Sequence, residues 1–232
     1  MNGSRPTLMV VDDELYVFGF NYTKLDIEKS RSFAIVTKDP KLVKEATALF
    51  EADSTRQPYV PSYDRLVVSP ESSRRILKEF IEGARKQLLI YDAKVSDRMM
   101  LKALQARAKD GVAIRMLGKI GKGAPDVEAR KMPGQRLHVR AMVRDGSAAF
   151  VGSQSLRKLE LDGRREVGII VSDTAIAKRM QDVFEADWLK TMTKAEVKEV
   201  KGSAENAKGE KADKAEKDKD KSKDKERETE KV

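Results

Sequence analysis

The feature that most constrains this fold is an internal repeat. Asp12 and Gly19 recur 133 residues later as Asp145 and Gly152. Arg31, Ile35, Asp39, Phe50, Glu51, Ala52 and Asp53 recur 134 residues later as Arg165, Ile169, Asp173, Phe184, Glu185, Ala186 and Asp187, so one single-residue slip joins the two sets. In both copies a strand hairpin, a third strand and a helix ending in Phe-Glu-Ala-Asp follow in the same order. Two copies of one α/β unit are expected to pack about a pseudo-twofold axis, with equivalent loops facing each other across a shared cleft.

The copies are unequal. The second runs from Arg65 to His138 ahead of its Asp145, whereas the first has only Met1 to Met9 before Asp12. Shifting back by 133 puts Arg5 and Thr7 where His138 and Arg140 stand, and Phe20 where Ser153 stands. The expectation is therefore a remnant of a first half over 1–60, a complete second domain over 61–190, and a disordered charged tail over 191–232. From Lys194 onward that tail carries 12 Lys and one Arg against 12 Asp plus Glu, with too little apolar surface to offset the entropy of ordering. The excess of the net +9 charge thus belongs to the folded part and suits an anionic partner.

Between these limits the patterns alternate. Leu8–Asp13, Tyr16–Phe20 and Ser32–Lys38 read as strands, and Asp39 caps a helix whose apolar face is Leu42, Val43, Ala46, Leu49 and Phe50. A strand at Arg65 leads into a helix with Pro70 in its first turn. Gln87–Val95 reads as a buried strand, Ser96–Gly111 as a helix, and Val112–Lys119 as a strand. Arg136–Gly146, Ala148–Ser153 and Glu166–Ser172 supply three more strands before a helix over Asp173–Leu189. The fold class is α/β, a mixed sheet flanked by helices. Gly118–Arg136 reads as a loop over the site; its Gly-Lys-Gly-Ala lacks the spacing of a phosphate-binding P-loop.

There is no cysteine and only one histidine, which excludes disulfides, thiolate zinc sites and a metal held by several imidazoles. No window approaches the roughly 20 apolar residues of a membrane span. A soluble, cytoplasmic chain with peripheral membrane contact is the expectation.

The one histidine, His138, stands in H-x-R-x-x-x-x-D with Arg140 and Asp145, followed by Gly152 and Ser153. On a strand, residues two apart project from one face, so an imidazole would lie beside a guanidinium able to grip two phosphate oxygens while the ring attacks phosphorus. A hydroxyl and backbone N–H groups at Gly152 and Ser153 would reach the same oxygens, and Glu166 could hold the other ring nitrogen. A lone histidine on a strand is also a common packed structural residue, and these residues alone leave both readings open.

The stretch "HVRAMVRDGSAAFVGSQSL" with "REVGIIV" downstream resembles the HKD motif of the phospholipase D superfamily, H-x-K-x4-D-x6-G-S-x-N followed by Glu. The run from Arg65 to Gly118 is similar to the start of a phospholipase-D-like domain in cardiolipin-synthase-type proteins. The resemblance implies a phosphodiesterase or phosphatidyltransferase, a hydrolase fold acting through a phosphohistidine on His138, with Glu166 orienting the ring. It implies phosphate binding by Arg140, Gly152, Ser153 and Ser155, a mainly structural Asp145, and no metal or cofactor. Partners would be a phospholipid headgroup or a nucleic-acid phosphodiester, with a homodimer as one way to supply a second imidazole. The basic residues Arg130, Lys131, Arg136, Arg144, Arg157, Lys158, Arg164 and Arg165 crowd the motif and favour a nuclease-type alternative. Three departures from the family pattern, Arg140 for Lys, Ser155 for Asn and a first copy without His, keep a catalytically inactive phosphate-binding scaffold among the alternatives.

Overall fold

The computed structural model describes residues 8–197. Arg5 and Thr7, the counterparts of His138 and Arg140, lie outside the described residues, as does the tail from residue 198.

The first copy opens as a hairpin of β1 (Leu8–Val11) and β2 (Glu14–Phe18), turned at Asp12 with φ 51°. Then come α1 (Lys24–Lys29), β3 (Ser30–Arg31), β4 (Ala34–Thr37) and α2 (Pro40–Thr55). Asp39 caps α2 by accepting from Lys41 N, and Pro40 opens the helix where its missing N–H costs nothing. β1, β2 and β4 form a three-stranded antiparallel sheet in that order.

The second copy contributes β5 (Leu66–Ser69), α3 (Ser73–Glu82), β6 (Gln87–Val95), α4 (Arg98–Lys109), β7 (Ala113–Ile120) and β8 (Glu128–Arg130). It continues with β9 (Arg136–Leu137), β10 (Arg140–Arg144), β11 (Ala148–Gly152), α5 (Lys158–Asp162), β12 (Glu166–Val171) and α6 (Thr174–Leu189). Seven strands form one mixed sheet in the order β5-β12-β11-β10-β6-β7-β8, parallel only at β6-β7 and β7-β8. Met142 and Phe150 turn toward the helices α3 and α4, where Ile76, Leu77, Phe80, Met100 and Leu104 close the main core. Because side chains alternate along a strand, Ala141, Val143, Ala149 and Val151 turn the other way. On that face lie α6, with buried Ala177, Met180 and Phe184, and the first copy's β2.

Apart from β3, the elements of the first copy have counterparts in the second. β1, β2, α1, β4 and α2 correspond in order to β10, β11, α5, β12 and α6, and α2 and α6 are both 16 residues long. Asp145 makes its hairpin turn at φ 53°, as Asp12 does at 51°. Arg31 pairs with Asp187 at 2.6 Å, and its counterpart Arg165 pairs with Asp53, the counterpart of Asp187, at 3.0 Å. Among the described residues the first copy has no equivalents of β5, α3, β6, α4 or β7.

Four expectations need correction. Phe50 does not join the apolar face of α2; it is 68% exposed, while Leu42, Ala46 and Leu49 are buried. Pro70 precedes α3, which starts at Ser73. Arg136–Gly146 is two strands, because β9 leaves to pair in parallel with β3 before the chain joins the large sheet as β10. Gly118–Arg136 includes the edge strand β8 and buries Met132 against the body. Beyond Thr191, the described residues begin a helical turn in which Thr193 O accepts from Val197 N at 3.0 Å.

Candidate functional site

His138 stands at the crossover between β9 and β10. β9 is held to the first copy by its ladder with β3, so the imidazole is carried against residues of the other copy. Its Nδ1 is buried 3.1 Å from Asp26 Oδ2, off the line of a hydrogen bond but within ion-pair reach when the ring is protonated. Asp26 itself is fixed from every side. Its Oδ1 accepts from Ser30 Oγ at 3.2 Å and Arg136 Nη1 at 2.8 Å, and its Oδ2 from Asn21 Nδ2 at 3.1 Å. Burial raises its pKa, but His138, Asn21 and Arg136 together hold the carboxyl below its ordinary range. Burial lowers the pKa of His138, the Arg140 and Arg136 charges lower it further, and Asp26 only partly compensates. The ring is therefore neutral near neutral pH, with its Nδ1 edge facing a carboxylate.

His138 also lines a cavity of about 220 Å³, together with Gly19, Phe20 and Asn21 of the first copy and Arg140, Ser153, Arg157, Glu160, Arg164 and Glu166. Arg140 is braced by its own backbone and by Ser155, donating to His138 O and, at 3.4 Å, to Ser155 Oγ. Behind it lies fully enclosed Asp92, which accepts from Ser155 Oγ at 2.6 Å, Leu156 N at 2.7 Å and Lys94 N at 2.9 Å. Burial drives the Asp92 pKa up, against those donors and the Arg140 charge. Arg157 and Arg164 both approach Glu160 Oε1, Arg164 at 3.8 Å. Buried Arg157 Nε and Glu160 Oε2 have no hydrogen-bond partner among the described residues, an expensive state in a closed interior and a natural one beside a ligand.

The structure gathers His138, Arg140, Ser153 and Glu166 around this cavity and separates the other expected residues from it. Asp145 stands at the far end of β10 and accepts from Arg85 N, Lys86 N and Gln87 N at 3.0, 2.7 and 2.9 Å, a structural anchor for the turn between α3 and β6. Gly152 does not line the cavity; a Cβ there would stand 2.7 Å from Gly168 Cα and 2.8 Å from Phe150 Cζ, so the glycine lets β11 and β12 close over the Phe150 ring. Ser155 is fully buried on Asp92 and does not line the cavity. Ser153 lines it, but its Oγ already accepts from Val167 N at 3.1 Å and donates to Val167 O at 3.3 Å.

Of the eight basic residues near the motif, only Arg157 and Arg164 line the cavity. Arg136 pairs with Asp26, Arg165 with Asp53 and Glu71, Arg144 lies over the Phe80 ring and Arg130 over Trp188. No residue of 118–135 reaches its lining, so the expected loop over the site is not there. Sequence reasoning missed Asp26 and Glu160. The signal was present: Lys24-Leu25-Asp26-Ile27 and Lys158-Leu159-Glu160-Leu161 are another repeat at offset 134. Among the described residues no group of three His, Cys, Asp or Glu side chains is placed to hold a metal, and no helix is long and apolar enough to cross a membrane.

Comparison with known proteins agrees with this geometry. Residues 77–188 match the family model described as cardiolipin synthase, PLD-like domain. Among solved structures, the phospholipase D family member Nuc from Salmonella typhimurium superposes with a TM-score of 0.50 at 17% identity, over 55% of this chain and 94% of that one. Polyphosphate kinase from Porphyromonas gingivalis gives 0.64 at 15% identity, over 80% of this chain and 31% of that one. Phosphatidylserine synthase from Haemophilus influenzae Rd KW20 gives 0.55 at 11% identity, over 80% and 61%. At such identities the likeness is one of fold, and the chain spans less than two thirds of the latter two proteins. Comparison with curated protein sequences gives no significant match.

Proposed function

We propose, from the match of residues 77–188 to the cardiolipin synthase, PLD-like domain model, that the chain is a phospholipase D superfamily member whose cavity is a phosphodiester site in which His138 forms a phosphohistidine without a metal. The observation that carries this reading is the convergence of one imidazole, backed by Asp26, with the guanidinium groups of Arg140, Arg157 and Arg164 on one cavity. Neutral His138 attacks phosphorus through Nε2, the P–O bond to the leaving group breaks, and the new imidazolium keeps its Nδ1 proton against Asp26. Water or an alcohol then attacks the phosphohistidine and the P–N bond breaks, which gives hydrolysis or phosphatidyl transfer. The three arginines neutralise charge on the phosphoryl oxygens.

The site is proposed to lie within one chain. Gly19, Phe20 and Asn21 of the first copy occupy the wall facing His138, so a partner subunit offering a second imidazole would have to displace them. The reciprocal pairs Arg31 with Asp187 and Arg165 with Asp53 support a pseudo-twofold arrangement that holds the two copies in this relation. Lipid and nucleic-acid diesters share the chemistry at phosphorus.

The test is hydrolysis of bis(p-nitrophenyl) phosphate in EDTA by wild type and His138→Ala, with mass from light scattering. Turnover by a monomer, lost in the variant and accompanied by an acid-labile phosphoryl-enzyme, is the expected result. Binding of phosphate esters without turnover in either protein would overturn the catalytic reading in favour of a phosphate-binding scaffold.

A further inference from the structure

Two short helices flank the cavity, and each carries an outward-facing Lys-Leu pair. In α1 the buried Asp26 sits beside His138, and in α5 the buried Glu160 lines the cavity wall. The residues just before them face solvent: Leu25 and Leu159 are each 52% exposed, and Lys24 and Lys158 are exposed. Around α1 the apolar surface extends to Ile27 and Tyr22, both 61% exposed, with Tyr22 packed edge-on to Phe18 at 4.9 Å and 6.0 Å from Phe20 of the cavity wall. Lys29 adds a further exposed cation. In each helix the acidic residue is buried, while the lysine and leucine before it stand largely in solvent.

We propose that this face docks on an anionic phospholipid bilayer, with Tyr22, Leu25, Ile27 and Leu159 entering the headgroup boundary and Lys24, Lys29 and Lys158 meeting its phosphates. Exposed apolar side chains interleaved with lysines are the composition of an interfacial surface. A polynucleotide would set the same leucines against a charged backbone, and half of the eight basic residues near the motif are committed elsewhere, Arg136 to Asp26, Arg165 to Asp53 and Glu71, and Arg130 and Arg144 to aromatic rings. A lipid phosphodiester is the form of substrate that such a surface would bring to the cavity, whose lining includes Glu160 of α5. The inference rests on the reading of the cavity as a phosphodiester site, and it names the lipid form of that diester as substrate.

The experiment is flotation of the full chain with vesicles of phosphatidylcholine alone or mixed with phosphatidylglycerol, for wild type, His138→Ala, Leu25→Ser with Leu159→Ser, and Lys24→Glu with Lys158→Glu. Circular dichroism checks that each variant folds. Wild type and His138→Ala are expected to float with the mixed vesicles and not with phosphatidylcholine. The leucine variant is expected to lose about tenfold or more in vesicle affinity, from apolar burial alone, while hydrolysing bis(p-nitrophenyl) phosphate at the wild-type rate. Vesicle binding that ignores the leucines and follows only salt, or tight salt-dependent binding to DNA with none to vesicles, would overturn the proposal. Leucine-dependent binding by a protein that hydrolyses nothing would leave the docking surface standing and remove only the catalytic reading.

Discussion

His138 Nδ1 faces Asp26 Oδ2 across 3.1 Å, so the carboxylate behind the imidazole comes from the other copy of the repeat. The pairing sets the pH behaviour of the site. Burial and Arg140 hold the ring below its ordinary 6.5, so the neutral form needed for attack persists to lower pH and the acid limb of kcat/KM falls below that value. Removing the Asp26 charge takes away the influence that raises the His138 pKa. Asp26→Asn should therefore move the acid limb to lower pH and reduce the plateau by about a hundredfold. With one histidine in the chain, imidazole NMR of untagged protein reads this titration without assignment. A limb that stays in place would separate Asp26 from the ring.

The reciprocal ion pairs predict an asymmetry in stability. Asp187 is fully buried and accepts from Arg31 at 2.6 and 2.7 Å, Tyr91 Oη at 2.8 Å and Lys190 at 2.9 Å. Asp53 is one-third exposed and has Arg165 at 3.0 Å. Asp187→Asn should cost about 3–5 kcal/mol, as removing one partner of a buried pair does, and Asp53→Asn about 0–1 kcal/mol. Burial raises the Asp187 pKa, but its three donors outweigh that and hold it below its ordinary 3.8. Its contribution is thus present above that pH and lost as pH falls through the depressed folded value, so Asp187→Asn should also flatten the acid side of the stability profile. Thermal melts of the two variants across that range test both statements.

The sequence made the four longer helices legible, and it hid the short helices α1 and α5 and what crosses between the copies. α2 and α6 could be read because Asp39 and Asp173 cap them locally, and β6 because its residues are apolar in a run. Asp26 could not, since it meets Arg136 110 positions away and only β3 and β9 bring the two together. Phe50 and Phe184 show the limit of reading by repeat. Phe184 is buried against Tyr91 at 5.1 Å and Trp188 at 5.6 Å. Tyr91 belongs to β6, which has no first-copy counterpart among the described residues, so the equivalent Phe50 has nothing to pack on.

Gly152 gives a prediction that separates packing from phosphate binding. Its missing Cβ would meet backbone, Gly168 Cα at 2.7 Å, which cannot swing aside as a flexible side chain does. Gly152→Ala should lower stability by about 1–3 kcal/mol or more through overpacking. At a temperature where it remains folded, its affinity for inorganic phosphate should match wild type. Lost phosphate affinity with an unchanged melting temperature would return Gly152 to the site.

The last prediction concerns the proton that the leaving oxygen needs. Among the described residues lining the cavity there is one imidazole, the proposed nucleophile, and two carboxylates, Glu160 and Glu166. No second imidazole stands among the described residues of that lining, and Glu160 is engaged by ion pairs with Arg157 and Arg164. A p-nitrophenolate leaves as a stabilised anion without help, whereas an alkoxide must be protonated as the P–O bond breaks. The aryl diester should therefore turn over faster than a dialkyl phosphate by more than its intrinsic reactivity explains, by roughly the 10²–10⁴-fold that a positioned general acid supplies. Adding a small weak acid such as imidazole to the buffer should rescue the alkyl substrate alone. Equal dependence on leaving group with and without the added acid would mean that Glu160 or Glu166 already delivers the proton, and Glu160→Gln and Glu166→Gln would then show which.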